Sequence, residues 1–193
     1  MKKYDVSLVV GRFQPIHIGH EAIINKALEL SNEVIIFIGS ADKEHEINNP
    51  FTYEFRKSMI ELIYQDEIEK GLIKIYPLND IGVGNVFAWG DYMIKEALKY
   101  SSKIDLFVSG SEAKIDLWFN EEYKKNISFV KVSREDIKIS ATQLRDYIYN
   151  NEYDEFKKYV NNKLHNYYSL IRLELMKSYI KPTKPKIIFE DED

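Results

Sequence analysis

The sequence predicts a doubly wound α/β fold, in which helices cover both faces of a parallel sheet. Three short runs, at residues 6–10, 34–38 and 104–108, are largely apolar, which is typical of strands that are buried on both faces. The segments that connect such runs carry apolar residues at helical spacing. This alternation predicts parallel strands that are joined by helical crossovers.

The strands and helices of this sheet are expected to alternate along the chain. Five strands are predicted, at residues 6–10, 34–38, 72–76, 104–108 and 127–132. Four helices are predicted between them, at residues 19–30, 52–65, 86–100 and 113–119. Thr52 is placed to cap the second helix, because a threonine side chain can accept a hydrogen bond from a free amide of the first turn.

The chain beyond Ile139 is predicted to be helical. Ser140 is followed three residues later by Gln143, which is the spacing of a capping box. Further helices are expected at residues 153–160 and 164–180. We therefore expect a sheet domain over residues 1–150, a helical extension over 151–180 and a poorly ordered tail over 181–193, which holds two prolines and ends in four acidic residues.

Composition argues against several classes of protein. A formal net charge of -4, from 27 Lys and Arg against 31 Asp and Glu, argues against a protein that mainly neutralises nucleic-acid phosphates. The absence of cysteine excludes disulfides, thiolate metal sites and cysteine nucleophiles. No apolar stretch approaches the roughly 20 residues that span a bilayer, and none forms a signal-peptide core. We expect a cytoplasmic protein without nucleic-acid or membrane partners.

The first chemically informative segment is residues 11–20, Gly-Arg-Phe-Gln-Pro-Ile-His-Ile-Gly-His, between the first strand and the first helix. Gly19, between His17 and His20, lets a ligand approach the backbone. His20 falls in the first helical turn, where free amides and the helix dipole favour an anion. With Arg12, the two imidazoles predict a site that stabilises negative charge as a phosphoanhydride breaks. Surface histidines, or a zinc site without a visible third ligand, are the weaker alternatives.

A second segment, residues 139–145, predicts another phosphate site. Ser140 and Thr142 place hydroxyls at a helix start, and Arg145 follows one turn later with a planar fork of donors. Glycine-bearing loops follow the first, second and fourth strands, at Gly11, Gly39 and Gly110. In doubly wound sheets ligands bind at the carboxyl ends of the strands, so these loops and both segments are expected to share one site.

Together, these segments resemble the Rossmann-like nucleotidyltransferase superfamily that carries an HxGH signature and a later Ser/Thr-x-Thr-x-x-Arg signature. The Gly-Arg-Phe-Gln-Pro version, at residues 11–15, is similar to that of the archaeal-type nicotinamide-mononucleotide adenylyltransferases. Further blocks resemble the same family, in the order Ile38-Gly39-Ser40-Ala41, Asn49-Pro50-Phe51-Thr52 with Arg56, Asp80-Ile81 with Asn85 and Trp89, and Ser109-Gly110. The similarity covers about residues 4–150. It departs from the family at Phe55, where Glu usually precedes the arginine, and in a longer interval from Gly82 to Trp89.

The resemblance implies transfer of AMP from ATP to nicotinamide mononucleotide, which forms NAD and releases pyrophosphate. It implies catalytic roles for Arg12, His17, His20 and Arg145. It implies ATP contacts at Gly11, Phe13, Gln14, Gly19, Gly110, Ser140 and Thr142. It implies mononucleotide contacts at Gly39, Ser40, Arg56, Asp80, Asn85 and Trp89. Mg²⁺ is expected on the ATP phosphates without a protein metal site, and relatives of this kind assemble as homo-oligomers.

Several alternatives stay open at this point. The acceptor could be another phosphate in the same superfamily, such as nicotinic acid mononucleotide, phosphopantetheine or a phosphorylated alcohol. Trp89 could be a core residue of its helix. A nucleotide sensor without turnover is a different class, against which the complete set of His and Arg residues argues. The sequence gives neither the number of subunits nor the purpose of the helical extension.

Overall fold

Five parallel strands form one sheet in the computed structural model, which describes residues 2–81, 87–133 and 137–180. The strands are β1 (Tyr4–Gly11), β2 (Ser31–Ile38), β3 (Ile73–Pro77), β4 (Leu106–Gly110) and β5 (Ser128–Val132). They lie in the order β3-β2-β1-β4-β5, which confirms the predicted fold class. The order reverses between β1 and β4, so the carboxyl ends of these two strands border the crevice in which a ligand is expected.

Helices on both faces connect the strands and continue beyond the sheet. They are α1 (Ile18–Leu30), α2 (Tyr53–Ile63), α3 (Gln65–Glu69), α4 (Phe87–Ala97), α5 (Ile115–Trp118), α6 (Glu121–Asn126), α7 (Ala141–Tyr149), α8 (Tyr153–Tyr159) and α9 (Tyr168–Lys177). The predicted caps at Thr52 and Ser140 are confirmed, since each side chain accepts a hydrogen bond from an amide three residues later. Among the residues that the structure describes, no helix has the length and apolar character needed to cross a bilayer.

Two helix predictions were wrong in their extent. The helix expected at residues 113–119 covers only Ile115–Trp118, because Asn120 starts α6 by accepting a hydrogen bond from the Tyr123 amide. The helix expected at residues 164–180 begins as a 3-10 helix, Asn162–Tyr167, and becomes α-helical only at Tyr168. The Asn120 cap lies directly after the first stretch, and the Asn161 cap of the 3-10 helix lies before the second.

The sheet is buried on both faces, as its apolar runs predict. In β2, residues 34–38 have no exposed surface, and in β1 Leu8 and Val9 are buried as well. One core cluster packs α1, α2 and the later helices against one face, and a second packs α4 and the α5 region against the other. The register pairs Gly11 with Ile38, so β1 and β2 end side by side.

The helical extension shares the core of the sheet domain. Phe156, Leu164 and Leu175 belong to the same buried cluster as strand residues such as Val9 and Ile36. Two polar contacts also tie the extension to earlier helices. Asn161 donates to Glu21 of α1 at 2.8 Å, and Lys163 donates to the Ile63 carbonyl of α2 at 2.8 Å. The extension therefore completes the core on one face of the sheet.

Replacing Phe156 tests how far the fold depends on this extension. Its ring has no exposed surface and packs against Tyr153 and Tyr168. We expect Phe156→Ala to lower the free energy of unfolding in urea by about 3–5 kcal/mol, because it leaves a cavity in the core. Leu173→Ala, at a position that is 60% exposed, is the matched control and should cost less than about 0.5 kcal/mol. Equal losses would show that Phe156 is not part of the core.

Candidate active site

A pocket of about 220 Å³ opens where the sheet order reverses, at the carboxyl ends of β1 and β4. Residues from widely separated parts of the chain line it, including the segment after β1, helices α4 and α5, and the start of α7. Of the predicted site residues, it brings together Gly11, Arg12, Phe13, Gln14, His20, Trp89 and Gly110. The site was therefore predicted at the edge of the sheet where the structure forms a pocket.

The segment between β1 and α1 turns sharply at Phe13. This residue has a φ of 51°, in the left-handed region, and its ring is buried. The ring lies over Gly11, where an added Cβ would come within 3.0 Å of it, and 4.9 Å from the ring of His20. Glycine at position 11 thus leaves room for the Phe13 ring to fold back against the backbone. This contact stabilises the strained turn.

His17 and His20 form a reciprocal cap at the start of α1. The Nδ1 atom of His17 accepts a hydrogen bond from the Gly19 amide at 3.1 Å. The Nδ1 atom of His20 accepts one from the His17 amide at 3.3 Å. The two rings lie close together, with centroids 3.9 Å apart. The predicted position of His20 in the first helical turn is confirmed.

This cap fixes the tautomer of both imidazoles. A ring nitrogen that accepts a hydrogen bond carries no proton, so in the neutral ring the proton resides on Nε2. In the neutral state both histidines therefore carry their ring proton on Nε2, on the side of the ring away from the helix backbone. The amides at the N-terminus of α1 add a partial positive charge, which together with these donors favours a phosphate.

Gln14 and Arg145 connect this segment to two other parts of the chain. The side-chain amide of Gln14 is buried, where it donates to the Phe51 carbonyl at 3.2 Å and accepts from the Phe51 amide at 3.0 Å. Arg145 donates to the Gln14 carbonyl at 2.9 Å and to the Thr142 hydroxyl at 3.2 Å. Burial, followed by the charge of Arg12, lowers the pKa of the Arg145 guanidinium. A contact between the Gln14 side chain and ATP stays a prediction.

The start of α7 presents hydroxyl groups as predicted from the second motif. The Ser140 hydroxyl accepts a hydrogen bond from the Gln143 amide at 3.1 Å. Ser140 and Thr142 are both exposed, and Ala141, between them, lines the pocket. The free amides of this nine-residue helix therefore lie at the edge of the pocket, beside Arg145.

The ends of β2 and β3 form a second polar group beside the pocket. Ser40 has a φ of 48°, and its hydroxyl donates to both carboxylate oxygens of Asp80, at 3.0 and 3.1 Å. Lys43 forms an ion pair with the same carboxylate at 2.8 Å. Partial burial raises the pKa of Asp80, but the contacts with Lys43 and Ser40 outweigh it and hold the pKa below its ordinary value. Lys43 was missed in the sequence because a lysine in a loop has no distinguishing pattern.

Arg56 lies beneath this group and has no exposed surface. Its Nη1 donates to the carbonyls of Arg12 and Gly39, its Nη2 to Ser40 and its Nε to Thr52. Burial, followed by the charge of Arg12, lowers the pKa of the guanidinium to about 10, so the group stays charged at neutral pH. A direct contact of Arg56 with the mononucleotide stays a prediction, and the structure shows its donors on main-chain oxygens.

Two tryptophans line the pocket from the side of α4 and α5. Trp89, the predicted ring-binding residue, is partly buried and faces the same pocket as Trp118, which the sequence reasoning missed. Gly90 allows this arrangement, because a Cβ there would collide with the Trp118 carbonyl. Trp118 could have been identified because it lies in the helix predicted after Gly110. Segments that follow the carboxyl end of a strand at the reversal of strand order border the ligand crevice. Asn85 lies outside the described residues.

A carboxylate also faces the pocket, from Glu112. The Glu112 carboxylate occupies the space that a Cβ atom at position 110 would need. Glu112 was missed because a lone acidic residue after a glycine is usually a solvent-exposed loop residue. Within residues 2–81, 87–133 and 137–180, no group of three or more His, Asp or Glu side chains is placed to hold a metal ion.

Comparisons with known proteins agree with this geometry. The sequence model of the Cytidylyltransferase-like family matches residues 8–169. A nicotinamide-nucleotide adenylyltransferase from Thermococcus sibiricus is 35% identical over 139 residues, which cover 72% of this chain and 70% of the relative. The enzyme of the same name from Saccharolobus solfataricus is 32% identical over 62% of this chain and 67% of the relative.

Solved structures show the same fold. A bifunctional NMN adenylyltransferase/ADP ribose pyrophosphatase from Francisella tularensis, complexed with AMP and a Mn ion, superposes with a TM-score of 0.65 at 28% identity. The match covers 89% of this chain but 52% of that protein, so this chain spans about half of the bifunctional enzyme. The matches in sequence, fold and strand-end geometry show that the chain belongs to the cytidylyltransferase-like family, among the nicotinamide-nucleotide adenylyltransferases.

Proposed function

We propose that this protein transfers AMP from ATP to nicotinamide mononucleotide, forming NAD and releasing pyrophosphate. The observation that carries the proposal is the pocket at the β1/β4 crevice, in which His20 of the HxGH cap and Arg12 meet Trp89 and Trp118. One end of this pocket suits a polyphosphate and the other an aromatic ring. The nicotinamide-nucleotide adenylyltransferases among its relatives, at 32–35% identity, support the same activity.

The reaction needs positioning and positive charge more than it needs a base. An oxygen of the acceptor 5′-phosphate attacks the α-phosphorus of ATP, and the bond to the bridging oxygen breaks, so that pyrophosphate leaves with the electron pair. The attacking phosphate is already ionised at neutral pH. Two polyanions must nevertheless approach each other, so cationic donors that offset their repulsion supply the main stabilisation.

The residues of the phosphate end have complementary roles in this step. His17 and His20 donate from Nε2 to the ATP phosphates and to the charge that develops on the leaving pyrophosphate. Ser140 and Thr142, with the free amides of α7, hold further phosphate oxygens. Arg12 lines the pocket and draws both substrates into one site by its charge.

The aromatic end binds the mononucleotide. The pyridinium ring carries a positive charge, so the faces of Trp89 and Trp118 attract it as cation–π partners. Ser40 and Asp80, at the neighbouring strand ends, contact the ribose of the mononucleotide through hydroxyl and carboxylate groups. The predicted contribution of Asn85 lies outside the described residues and stays a prediction.

ATP enters as its complex with a divalent cation. The Francisella tularensis relative holds a Mn ion together with AMP, which supports a divalent metal, and we propose Mg²⁺ for this chain. Mg²⁺ binds mainly through phosphate oxygens and water in sites of this kind. A cytoplasmic location stays a prediction from the apolar pattern of the sequence, and assembly into a homo-oligomer stays a prediction from the resemblance.

Product formation tests the proposed function directly. We expect pyrophosphate and NAD when ATP is supplied with nicotinamide mononucleotide, at a kcat/KM above that for phosphopantetheine. Nicotinic acid mononucleotide should be assayed in parallel, because it differs only in the ring substituent. Release of pyrophosphate with another acceptor alone would reassign the substrate. ATP binding without pyrophosphate release from any acceptor would identify a nucleotide sensor.

His20 tests the role of the phosphate end. His20→Ala and His20→Asn should both lower kcat by about 10²- to 10³-fold, the effect of removing one transition-state donor. The Asn variant keeps a side-chain oxygen that can accept the His17 amide, so it separates capping from catalysis. His165→Ala, in the helical extension, serves as the control and should keep its kcat. Near-normal turnover of His20→Asn would show that His20 only caps the helix.

Trp118 tests the aromatic end. Trp118→Ala should raise the KM for nicotinamide mononucleotide by about 5-fold or more, because a cation–π contact contributes about 1 kcal/mol. The KM for ATP should change little. Trp118→Phe, which keeps an aromatic face, should retain most of the affinity. If the ATP affinity falls instead, the aromatic end holds the adenine ring and the assignment of the two ends is reversed.

A further inference from the structure

We propose that Arg56 is a positioning residue, which fixes the carboxyl ends of β1 and β2 for both substrates and does not itself bind a phosphate. Its Nη1 donates to the Arg12 carbonyl at 2.9 Å and to the Gly39 carbonyl at 2.7 Å, so one nitrogen joins the two strand ends. The activity part of this inference rests on the function proposed above. The structural part, that Arg56 holds the carboxyl ends of β1 and β2, does not depend on that function.

Main-chain oxygens hold the guanidinium. Nη2 donates to the Ser40 carbonyl at 3.0 Å, and Nε donates to the Thr52 carbonyl at 3.2 Å. Four of the five N–H donors of an arginine thus end on carbonyls. Within the described ranges, 2–81, 87–133 and 137–180, Arg56 forms no ion pair with a carboxylate. A substrate phosphate would have to reach a side chain that has no exposed surface.

The shape of the guanidinium explains why an arginine occupies this buried place. Its planar fork directs donors to several acceptors at fixed angles, whereas lysine offers a single compact ammonium. A neutral side chain of similar length would leave buried carbonyl groups without a donor. The four acceptors come from the ends of two strands and from the cap of α2, so only a fork can hold them together.

Both halves of the site depend on the backbone that Arg56 holds. The Arg12 carbonyl precedes Phe13, whose φ is 51°, and the carbonyl of Ser40 belongs to a residue with a φ of 48°. Left-handed conformations at non-glycine residues persist only where surrounding contacts impose them. On one side the held backbone carries the Arg12 side chain into the pocket. On the other it aims the Ser40 hydroxyl at Asp80. Loss of Arg56 should therefore make the backbone at the carboxyl ends of both β1 and β2 more mobile.

The test compares Arg56→Met and Arg56→Lys with the control Lys57→Met. Lys57 is the next residue of α2, and its partly exposed side chain pairs with Glu61 on the helix surface. Hydrogen exchange of the amides in residues 11–20 and 39–43 reports the backbone directly and needs no turnover. Calorimetry with ATP and steady-state kinetics with both substrates report the site.

We expect both Arg56 variants to exchange at least 10-fold faster in both segments. Their KM values for ATP and mononucleotide should rise by similar factors, and kcat should fall at least 10-fold. Lys57→Met should show the same amide exchange rates, KM values and kcat as the original protein. A rise in the KM for the mononucleotide alone, with unchanged exchange, would make Arg56 a direct ligand and overturn the proposal.

Two other outcomes also contradict the proposal. If Arg56→Lys keeps the exchange rates, KM values and kcat of the original protein, a positive charge alone holds the backbone and the planar guanidinium is not required. If both variants lose the folded state, Arg56 stabilises the whole core and does not position the site locally. If the original protein shows no adenylyl transfer, the proposed function fails, but exchange and ATP binding still decide the role of Arg56.

Discussion

The donation of hydrogen bonds from buried guanidinium groups to main-chain carbonyls is the interaction on which the rest of the site depends. Arg56 and Arg145 together hold the carbonyls of Arg12 and Gln14, on the segment between β1 and α1. Carbonyl dipoles solvate these cations but do not neutralise them, as carboxylates would. Their positive charge therefore remains available to an anionic substrate, while the same bonds fix the backbone that this substrate contacts.

The histidine pair combines folding and chemistry in a similar way. Capping the start of α1 uses the Nδ1 atoms of His17 and His20, and this use determines which nitrogen carries the proton. Catalysis then requires no further device to set the tautomer. A serine at this helix start would cap it as well, but its single oxygen would both accept from the amide and donate to a phosphate, whereas an imidazole accepts at Nδ1 and donates at Nε2 on the far side of the ring. The cap thus explains why imidazoles, and not hydroxyls, stand at this helix start.

Sequence reasoning predicted those features that have local signatures. Largely apolar runs located β1, β2 and β4, and polar residues before apolar periodicity located the caps at Thr52 and Ser140. It could not predict that Arg56 donates to the Arg12 carbonyl or that Arg145 donates to the Gln14 carbonyl, 44 and 131 residues away in the chain. Those partners are main-chain carbonyls, which every residue possesses, so no residue type marks them. The substrate contact predicted for Arg56 rests on the family resemblance alone.

The helical extension has a place in this scheme because of where it packs. Helices α8 and α9 contact α7, which carries Arg145, and the 3-10 helix contacts α2, which carries Arg56. The extension therefore lies against both helices that supply the buried cations. Each guanidinium reaches its carbonyls over a few ångströms, so a small shift of either helix would break those bonds. Tight packing of Phe156 and Leu164 restrains both helices at once, and in this way the hydrophobic core of the extension maintains the electrostatics of the site.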